Sequence, residues 1–260
     1  AFIVSLIMMT MAYAFNLIVS SMFKLRGGSY EQLIFLCPPI ISGFYSVTYF
    51  ISSTAMAAYS TALVGFLGRI FPVVNDYRVP LAIVITSVFF LSSIKGIGFM
   101  SYIQSAMTVI MVIAISLFII IGLPQVKAGY FTEPGFFYGG GSGFLSAVSI
   151  VAFACMGTTA APVSVAWEVK KATRTIPIAI ILITLSVSVI YSLMAVVATG
   201  ILPIEQVMGQ DLSIIAKEIF PHWVYVAFIL GGAVFAIATS LLGAIVVMRY
   251  PILAAAEDGW

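Results

Sequence analysis

The chemically most suggestive stretch of this chain is a short polar interruption in an apolar run. Gly157 is followed directly by Thr158 and Thr159, and Pro162 comes shortly after. Glycine weakens a helix, threonine hydroxyls bond to the backbone and proline removes a donor. Lipid cannot satisfy the N–H and C=O groups freed by a broken helix, so a break persists only where it lines a cavity or is buried in protein. There the carbonyl end of one half-helix can hold an ammonium, and the N–H end of the other a carboxylate.

A broken helix at this position predicts a site for an amino acid. If the span begins near Phe144, Gly157 lies roughly 20 Å along it at 1.5 Å per residue, close to the middle of a bilayer. Glycine and proline are also common in membrane helices as kinks and points of close packing. From this stretch alone, both interpretations remain open.

Composition sets the class of protein that carries this stretch. Hydrophobic residues make up 62% of the 260 positions and charged residues only 8%, whereas soluble domains carry about 25% charged residues. The chain is therefore predicted to be an all-α polytopic membrane protein. Paired carboxylates, a metal-ligating cluster and a nucleophile–base pair are missing from its apolar runs, which argues against an enzyme. A net charge of +2, spread over short loops, argues against a nucleic-acid partner.

Charged residues divide the chain into about seven predicted transmembrane helices. We place the spans near 1–23, 32–67, 79–94, 99–123, 144–168, 177–200 and 222–248. Pro38 and Pro39 are expected to kink the second span. Together the spans form a single predicted transmembrane domain, 1–260, in which lipid is the main partner.

The distribution of Lys and Arg predicts the orientation of these spans. Seven basic residues lie on one side, which we expect to be cytoplasmic: Lys24, Arg26, Lys95, Lys170, Lys171, Arg174 and Arg249. Four lie on the other side: Arg69, Arg78, Lys127 and Lys217. The expected location is the plasma membrane, with the C-terminal end in the cytoplasm.

The connecting segments carry further predictions. Residues 129–143 are rich in glycine and aromatic residues and indicate an irregular loop. Residues 204–220 place Leu212, Ile215, Ala216 and Ile219 at helical spacing, which predicts a short amphipathic helix, either with a gating role or as an ordinary interfacial helix. Glu168 is expected to pair with a cytoplasmic Lys or Arg, and Arg249 to cluster with Glu257 and Asp258. The tryptophans Trp167, Trp223 and Trp260 fit interfacial anchors.

Three stretches resemble the amino acid–polyamine–organocation (APC) permeases, whose fold is the leucine-transporter type. They are "RGGSYEQL" (26–33), similar to the entry of the family's third helix; "FACMGTT…EVKKATRTIPIAI" (153–180), similar to the sixth helix and the loop after it; and "MRYPILAAAEDGW" (248–260), similar to the end of the eighth. A weaker fourth, "KGIGFMSYIQSAMT" (95–108), is similar to the junction of the fourth and fifth helices. The resemblance covers the whole chain and implies a fragment, helices two to eight, without the first helix or helices nine onward.

The resemblance also implies substrate-binding positions. Phe153 would be an aromatic gate, and the backbone around Ala154, Met156, Gly157 and Thr158 would bind the amino acid. Small residues would line the pocket, namely Ser52, Ser53, Ala57 and Ser60 on the second span and Ala244 on the seventh. None carries a charge, so the implied substrate is a neutral amino acid.

The resemblance leaves the coupling ion open between Na⁺ and H⁺; no other cofactor is implied. Ala236, Thr239 and Ser240 look like the hydroxyl-bearing half of the fold's sodium site, although such a pair also occurs as helix-packing contacts. Thr159 and Met111 stand where some proton-coupled members carry Glu and Lys, which weakens proton coupling. Lys171 and Ala172 replace the family's usual Asn-Pro.

The sequence therefore predicts secondary active transport of a neutral amino acid by alternating access. Alternatives are an amino-acid sensor that keeps the permease fold and a permease for a polyamine or another organic amine. A channel would need a continuous polar stripe, which the spans do not show. The oligomeric state is not predicted, and the fragment by itself is expected to lack half of its site.

Overall fold

The computed structural model describes residues 1–12, 14–23, 25, 27–129 and 139–260. Within these ranges, the side chains at 15–17, 20, 97, 153–165, 168, 204 and 205 are not described. The described chain is helical and contains no strand, which confirms the all-α prediction. Its α-helices are α1 (Phe2–Ala12), α2 (Ala14–Met22), α3 (Ser29–Leu36), α4 (Pro39–Ser52), α5 (Met56–Ile70), α6 (Arg78–Ser93), α7 (Ile97–Gly122), α8 (Gly140–Val165), α9 (Ala172–Gly200), α10 (Ile204–Val207), α11 (Ser213–Ile219), α12 (His222–Phe228) and α13 (Phe235–Glu257).

Five helical segments of the described chain are long and apolar enough to cross a membrane. They are Pro39–Ile70, Pro72–Ser93, Gly98–Gln125, Ala172–Gly200 and His222–Glu257, and they coincide with five of the seven predicted spans. Of the remaining two predictions, 1–23 includes a position that is not described, and 144–168 includes side chains that are not described. Shorter apolar helices, Phe2–Ala12 and Gly140–Ala152, are found there.

Two prolines end one helix and begin the next in the predicted second span. α3 stops at Leu36, Cys37 is extended with φ −131° and ψ 158°, and α4 begins at Pro39. The residue before a proline is driven towards extended backbone, while proline fits the first position of a helix because its missing N–H is not needed there. The predicted kink is confirmed. A 3₁₀ turn, Ser53–Ala55, then separates α4 from α5.

The described chain groups into two compact units, and the first consists of residues 1–51, 128–192 and 249–260. In this unit α1 packs on α8, where the buried Ser5 hydroxyl donates to the Val148 carbonyl at 2.8 Å. The C-terminal turn also packs here. The fully buried Tyr30 donates its hydroxyl to Asp258 Oδ2 at 3.0 Å, and a Cβ on Gly43 would overlap the Trp260 ring.

The second unit consists of residues 52–127 and 193–248. Three buried aromatic rings form its centre, with Phe118 stacked on Phe228 at 5.2 Å and Phe220 in contact with both. The predicted amphipathic segment 204–220 forms two helices rather than one, α10 and α11. Ile215 and Ala216 of α11 are buried in this core.

An ion pair fixes the start of α11 to the end of α5. Arg69 pairs with Asp211, and its Nη1 lies 2.9 Å from Asp211 Oδ1. Asp211 also accepts a bond from the Ser213 N–H at 2.9 Å. Apolar packing therefore holds one face of α11, and the Arg69–Asp211 ion pair holds its N-terminal end.

Candidate substrate and ion sites

The backbone of α8 corrects the prediction of a broken helix. One uninterrupted α-helix extends from Gly140 to Val165 and passes through Gly157. A continuous helix satisfies nearly all of its own backbone groups, whereas a break in lipid leaves several unpaired at a cost of several kcal/mol each. A glycine costs only about 1 kcal/mol relative to alanine in a helix, too little to force the break. Residues 140–143, predicted as loop, are the first turn of this helix.

Pro162 nevertheless leaves one defect in α8. Proline has no N–H, so in a continuous helix the carbonyl four residues earlier, that of Thr158, has no helical donor. The helix therefore offers one carbonyl oxygen beside Gly157 without needing to unwind. The side chain of Phe153, predicted to be an aromatic gate, lies outside what the structure describes, as do the side chains of Ala154, Met156 and Thr158, whose backbone is predicted to bind the substrate.

The candidate positions on the second predicted span belong to the second unit and differ in environment. Ser60 is buried, and its hydroxyl donates to the Met56 carbonyl at 3.0 Å, back along its own helix. Ser52 and Ala57 are exposed and Ser53 is half-buried. The 3₁₀ turn places Ser53 just before α5, so only Ala57 and Ser60 share that helix.

Ala244 lies on a neighbouring helix of the same unit. It is half-buried and packs against the cluster of Met56, Leu241 and Ile245. Met56 directly precedes Ala57 in α5. The structure therefore places Ala244 in the same cluster as Met56, at the start of α5.

The three residues of the candidate sodium site converge on one carbonyl. The Thr239 and Ser240 hydroxyls donate to the Ala236 carbonyl at 2.9 and 3.0 Å. Each hydroxyl oxygen keeps lone pairs for a cation, while the carbonyl accepts two side-chain protons and is the poorer ligand. Thr and Ser hydroxyls make the same bonds in helices that bind no ion, so these contacts also agree with the alternative that the pair only packs helices.

Gln104 of α7 is a polar residue beside this position that sequence analysis did not single out. Its Nε2 donates to the Thr239 carbonyl at 3.3 Å, while its Oε1 is buried and has no partner in the described part of the chain. A buried acceptor without a donor is costly. In the sequence, Gln104 could have been recognised as the single amide side chain in the apolar run of α7.

A π-helical turn, Ile229–Val234, directly precedes α13 and is a second feature missed from sequence. Such turns are rare and frequently occur at functional sites. Gly231 and Gly232 lie in it, and Cβ atoms there would come within 4 Å of the Ala114 side chain on α7. In the sequence, the pair Gly231–Gly232 could have indicated a close approach between two helices.

The candidate positions described in the second unit have no charged side chain among them. They offer hydroxyl, methyl and main-chain groups only, which can bind a neutral ligand or a hard cation but cannot neutralise an extra charge on a substrate.

A family model described as amino acid permease matches residues 1–260. A search of the curated proteins finds no match.

Proposed function

Because the chain belongs to the amino acid permease family, we propose that it mediates secondary active transport of neutral amino acids across the plasma membrane. Members of such a family are transporters rather than enzymes and move amino acids or related organic compounds. The match over the full 260 residues carries the proposal. The five apolar helices supply the membrane-spanning scaffold that alternating access requires.

The proposed binding position for the amino-acid backbone is the middle of α8, around Gly157. The Thr158 carbonyl lacks a helical donor because of Pro162, so it is an acceptor for the substrate ammonium. Glycine leaves the helix surface open for close approach at this point. Phe153, Ala154 and Met156 lie within the four positions before Gly157 in the sequence.

The character of the candidate positions in the second unit supports a neutral substrate. Ser52, Ser53, Ala57, Ser60 and Ala244 present no charge, so a cationic polyamine would find no counter-charge among them. This supports a neutral amino acid over an organic polyamine.

Sodium is the coupling ion that we propose, with Thr239 and Ser240 as hydroxyl ligands. Hard cations prefer oxygen ligands, and the hydroxyls keep lone pairs free when bonded to Ala236. The unpartnered Gln104 Oε1 adds a third oxygen on the neighbouring helix. Thr159 and Met111, which cannot carry a proton, speak against proton coupling.

The test is uptake by the full-length protein in liposomes under an imposed sodium gradient, then under a proton gradient. We expect sodium-driven uptake of labelled neutral amino acids, which Thr239→Ala with Ser240→Ala abolishes. Thr86→Ala is the matched control, because its hydroxyl makes the same bond to a carbonyl one turn earlier, at 2.8 Å.

Other outcomes would change the proposal in defined ways. Proton-driven uptake that ignores the double substitution would reject sodium as the coupling ion. Uptake of polyamines alone would reject the substrate class. Amino-acid binding without uptake or exchange would reject transport and favour a sensor.

A further inference from the structure

Four cationic side chains mark one corner of the first unit. Lys170 and Lys171 connect the 3₁₀ turn Ala166–Glu168 to α9, Arg174 lies in the first turn of α9, and Arg249 lies in α13. All four are exposed. We call these four residues the basic corner.

An aromatic contact brings the two chain segments of the basic corner together. The rings of Trp167 and Tyr250 meet edge to face at 5.6 Å. The Arg249 guanidinium lies over the Tyr250 ring, 5.2 Å from its centroid. Arg249 is thereby held close to the segment that carries Lys170 and Lys171, although nearly eighty positions separate them in sequence.

The loop that carries the lysines has a fixed shape. Lys171 adopts a left-handed φ of 54°, and its carbonyl accepts the N–H groups of Arg174 and Thr175, both at 3.0 Å. The Thr175 hydroxyl donates to the Lys170 carbonyl at 3.1 Å. The charges are thus presented from an ordered turn rather than from a free tether.

The neighbouring apolar runs predict that the corner lies at the depth of lipid headgroups. Lys170 and Lys171 immediately precede the apolar span Ala172–Gly200, and Arg249 follows the last long apolar run of α13. Tyr250 is buried and Trp167 is half-buried, so the two rings support the cations from inside the first unit.

Carboxylates do not neutralise the corner in the part of the chain that the structure describes. The ion pair found there is Arg69–Asp211 in the second unit. The predicted cluster of Arg249 with Glu257 and Asp258 is wrong, because Arg249 faces Tyr250 and Asp258 accepts the Tyr30 hydroxyl. The Glu168 side chain is not described; even if it pairs with one cation, three positive charges remain.

We propose that the basic corner binds the phosphate group of an anionic glycerophospholipid in the cytoplasmic leaflet. Anionic lipids in that leaflet attract basic residues next to a transmembrane helix. Arginine can bind phosphate through two parallel hydrogen bonds, while each lysine contributes a compact charge. The site commits to a lipid because the four cations lie next to the ends of apolar runs, where the phosphate groups of a bilayer are found. The proposal is independent of the transported substrate.

The experiment compares the thermal unfolding midpoint of the full-length protein in nanodiscs of phosphatidylcholine alone and with added phosphatidylglycerol. We expect phosphatidylglycerol to raise the midpoint. The triple substitution Lys170→Gln, Lys171→Gln and Arg174→Gln is expected to reduce this increment by about half or more. Lys127→Gln with Lys217→Gln is the control, since both lysines belong to the opposite predicted side, and it should retain most of the increment.

A local readout keeps the test decisive if the triple variant folds poorly. With every other tryptophan of the full-length protein changed to Phe, including Trp223 and Trp260, the half-buried Trp167 reports lipid contact through quenching by brominated acyl chains. We expect stronger quenching by brominated phosphatidylglycerol than by brominated phosphatidylcholine at equal content, with the difference decreasing as salt is added. The single substitution Lys170→Gln should weaken that preference.

Three results would overturn the proposal. One is an unchanged increment in the triple variant, and another is equal quenching by both lipids. The third is the same stabilisation by inorganic phosphate in phosphatidylcholine nanodiscs, which would identify a phosphate site rather than a lipid site.

Discussion

At the scale of single residues, the polar groups of the described spans fall into two kinds. Ser60 and Ser240 bond back to carbonyls of their own helix, which satisfies the hydroxyl and leaves neighbouring helices untouched. Ser5 and Gln104 bond across to other helices, at Val148 and Thr239. Only bonds of the second kind fix how helices pack, because lipid offers no competing hydrogen bond.

Tyr30 supplies a prediction at this scale. Burial, with the hydrogen bond to Asp258 and its charge, raises the pKa of Tyr30 to about 12 from the ordinary 10.0. The folded state thus favours the neutral phenol. This stabilisation is fully present below pH 10 and is lost as the pH rises through about 12. Absorbance titration of the phenolates should show a late-ionising component that loses the amplitude of one tyrosine in Tyr30→Phe.

At neutral pH, Tyr30→Phe should lower the free energy of unfolding by about 1–2 kcal/mol, because it deletes a hydrogen bond to a charged acceptor. The partner Asp258 is exposed and can be hydrated, which keeps the loss at the lower end. Tyr102→Phe is the control, since Tyr102 is 76% exposed. Equal effects of the two substitutions would contradict the assigned role of Tyr30.

At the scale of elements, most helices agree with the local chemistry of the sequence, and the exceptions are α8 and the division of 204–220 into α10 and α11. The Pro38–Pro39 pair ends α3 and begins α4 as expected, and the spacing of Ile215 and Ala216 correctly predicts the buried face of α11. α8 departs from expectation because a glycine and one proline remove too little hydrogen bonding to break a helix in an apolar setting.

Pro162→Ala tests what the proline contributes to α8. Alanine restores an N–H donor to the Thr158 carbonyl, so that carbonyl can no longer bind the substrate ammonium freely. A charge-assisted hydrogen bond of about 1.5 kcal/mol corresponds to roughly tenfold weaker affinity. We expect KM for uptake to rise by about that factor with little change in the amount of folded protein.

Pro177→Ala is the matched control, because Pro177 also lies inside a helix, α9, but is exposed in its second turn. KM should be unchanged in this variant. An unaltered KM in Pro162→Ala would remove the Thr158 carbonyl from the proposed binding position.

At the scale of the whole molecule, the family match and the apolar helices agree on a multi-pass membrane transporter. The second unit is built around aromatic packing of Phe118, Phe220 and Phe228, with the loop helix α11 drawn into its core. Orientation in the membrane follows only from the distribution of Lys and Arg and remains a prediction.

Cysteine labelling tests that orientation. In a Cys37→Ser, Cys155→Ser background, we expect Lys217→Cys to react with an impermeant maleimide in intact cells, since this exposed position lies on the predicted external side. Lys171→Cys, exposed at the other side, should react only after permeabilisation. The opposite pattern would invert the topology and place the basic corner in the outer leaflet.

The sequence by itself determined the class, the helices and the family expectation, because hydropathy and charge act locally along the chain and a bilayer leaves few structural alternatives. Only the tertiary structure decided that Gln104 reaches Thr239, that Trp167 meets Tyr250 and that Tyr30 holds Asp258. These contacts join positions far apart in sequence. Such contacts depend on how the helices pack. The types and spacing of side chains within one helix do not specify which residue of another helix each side chain will contact.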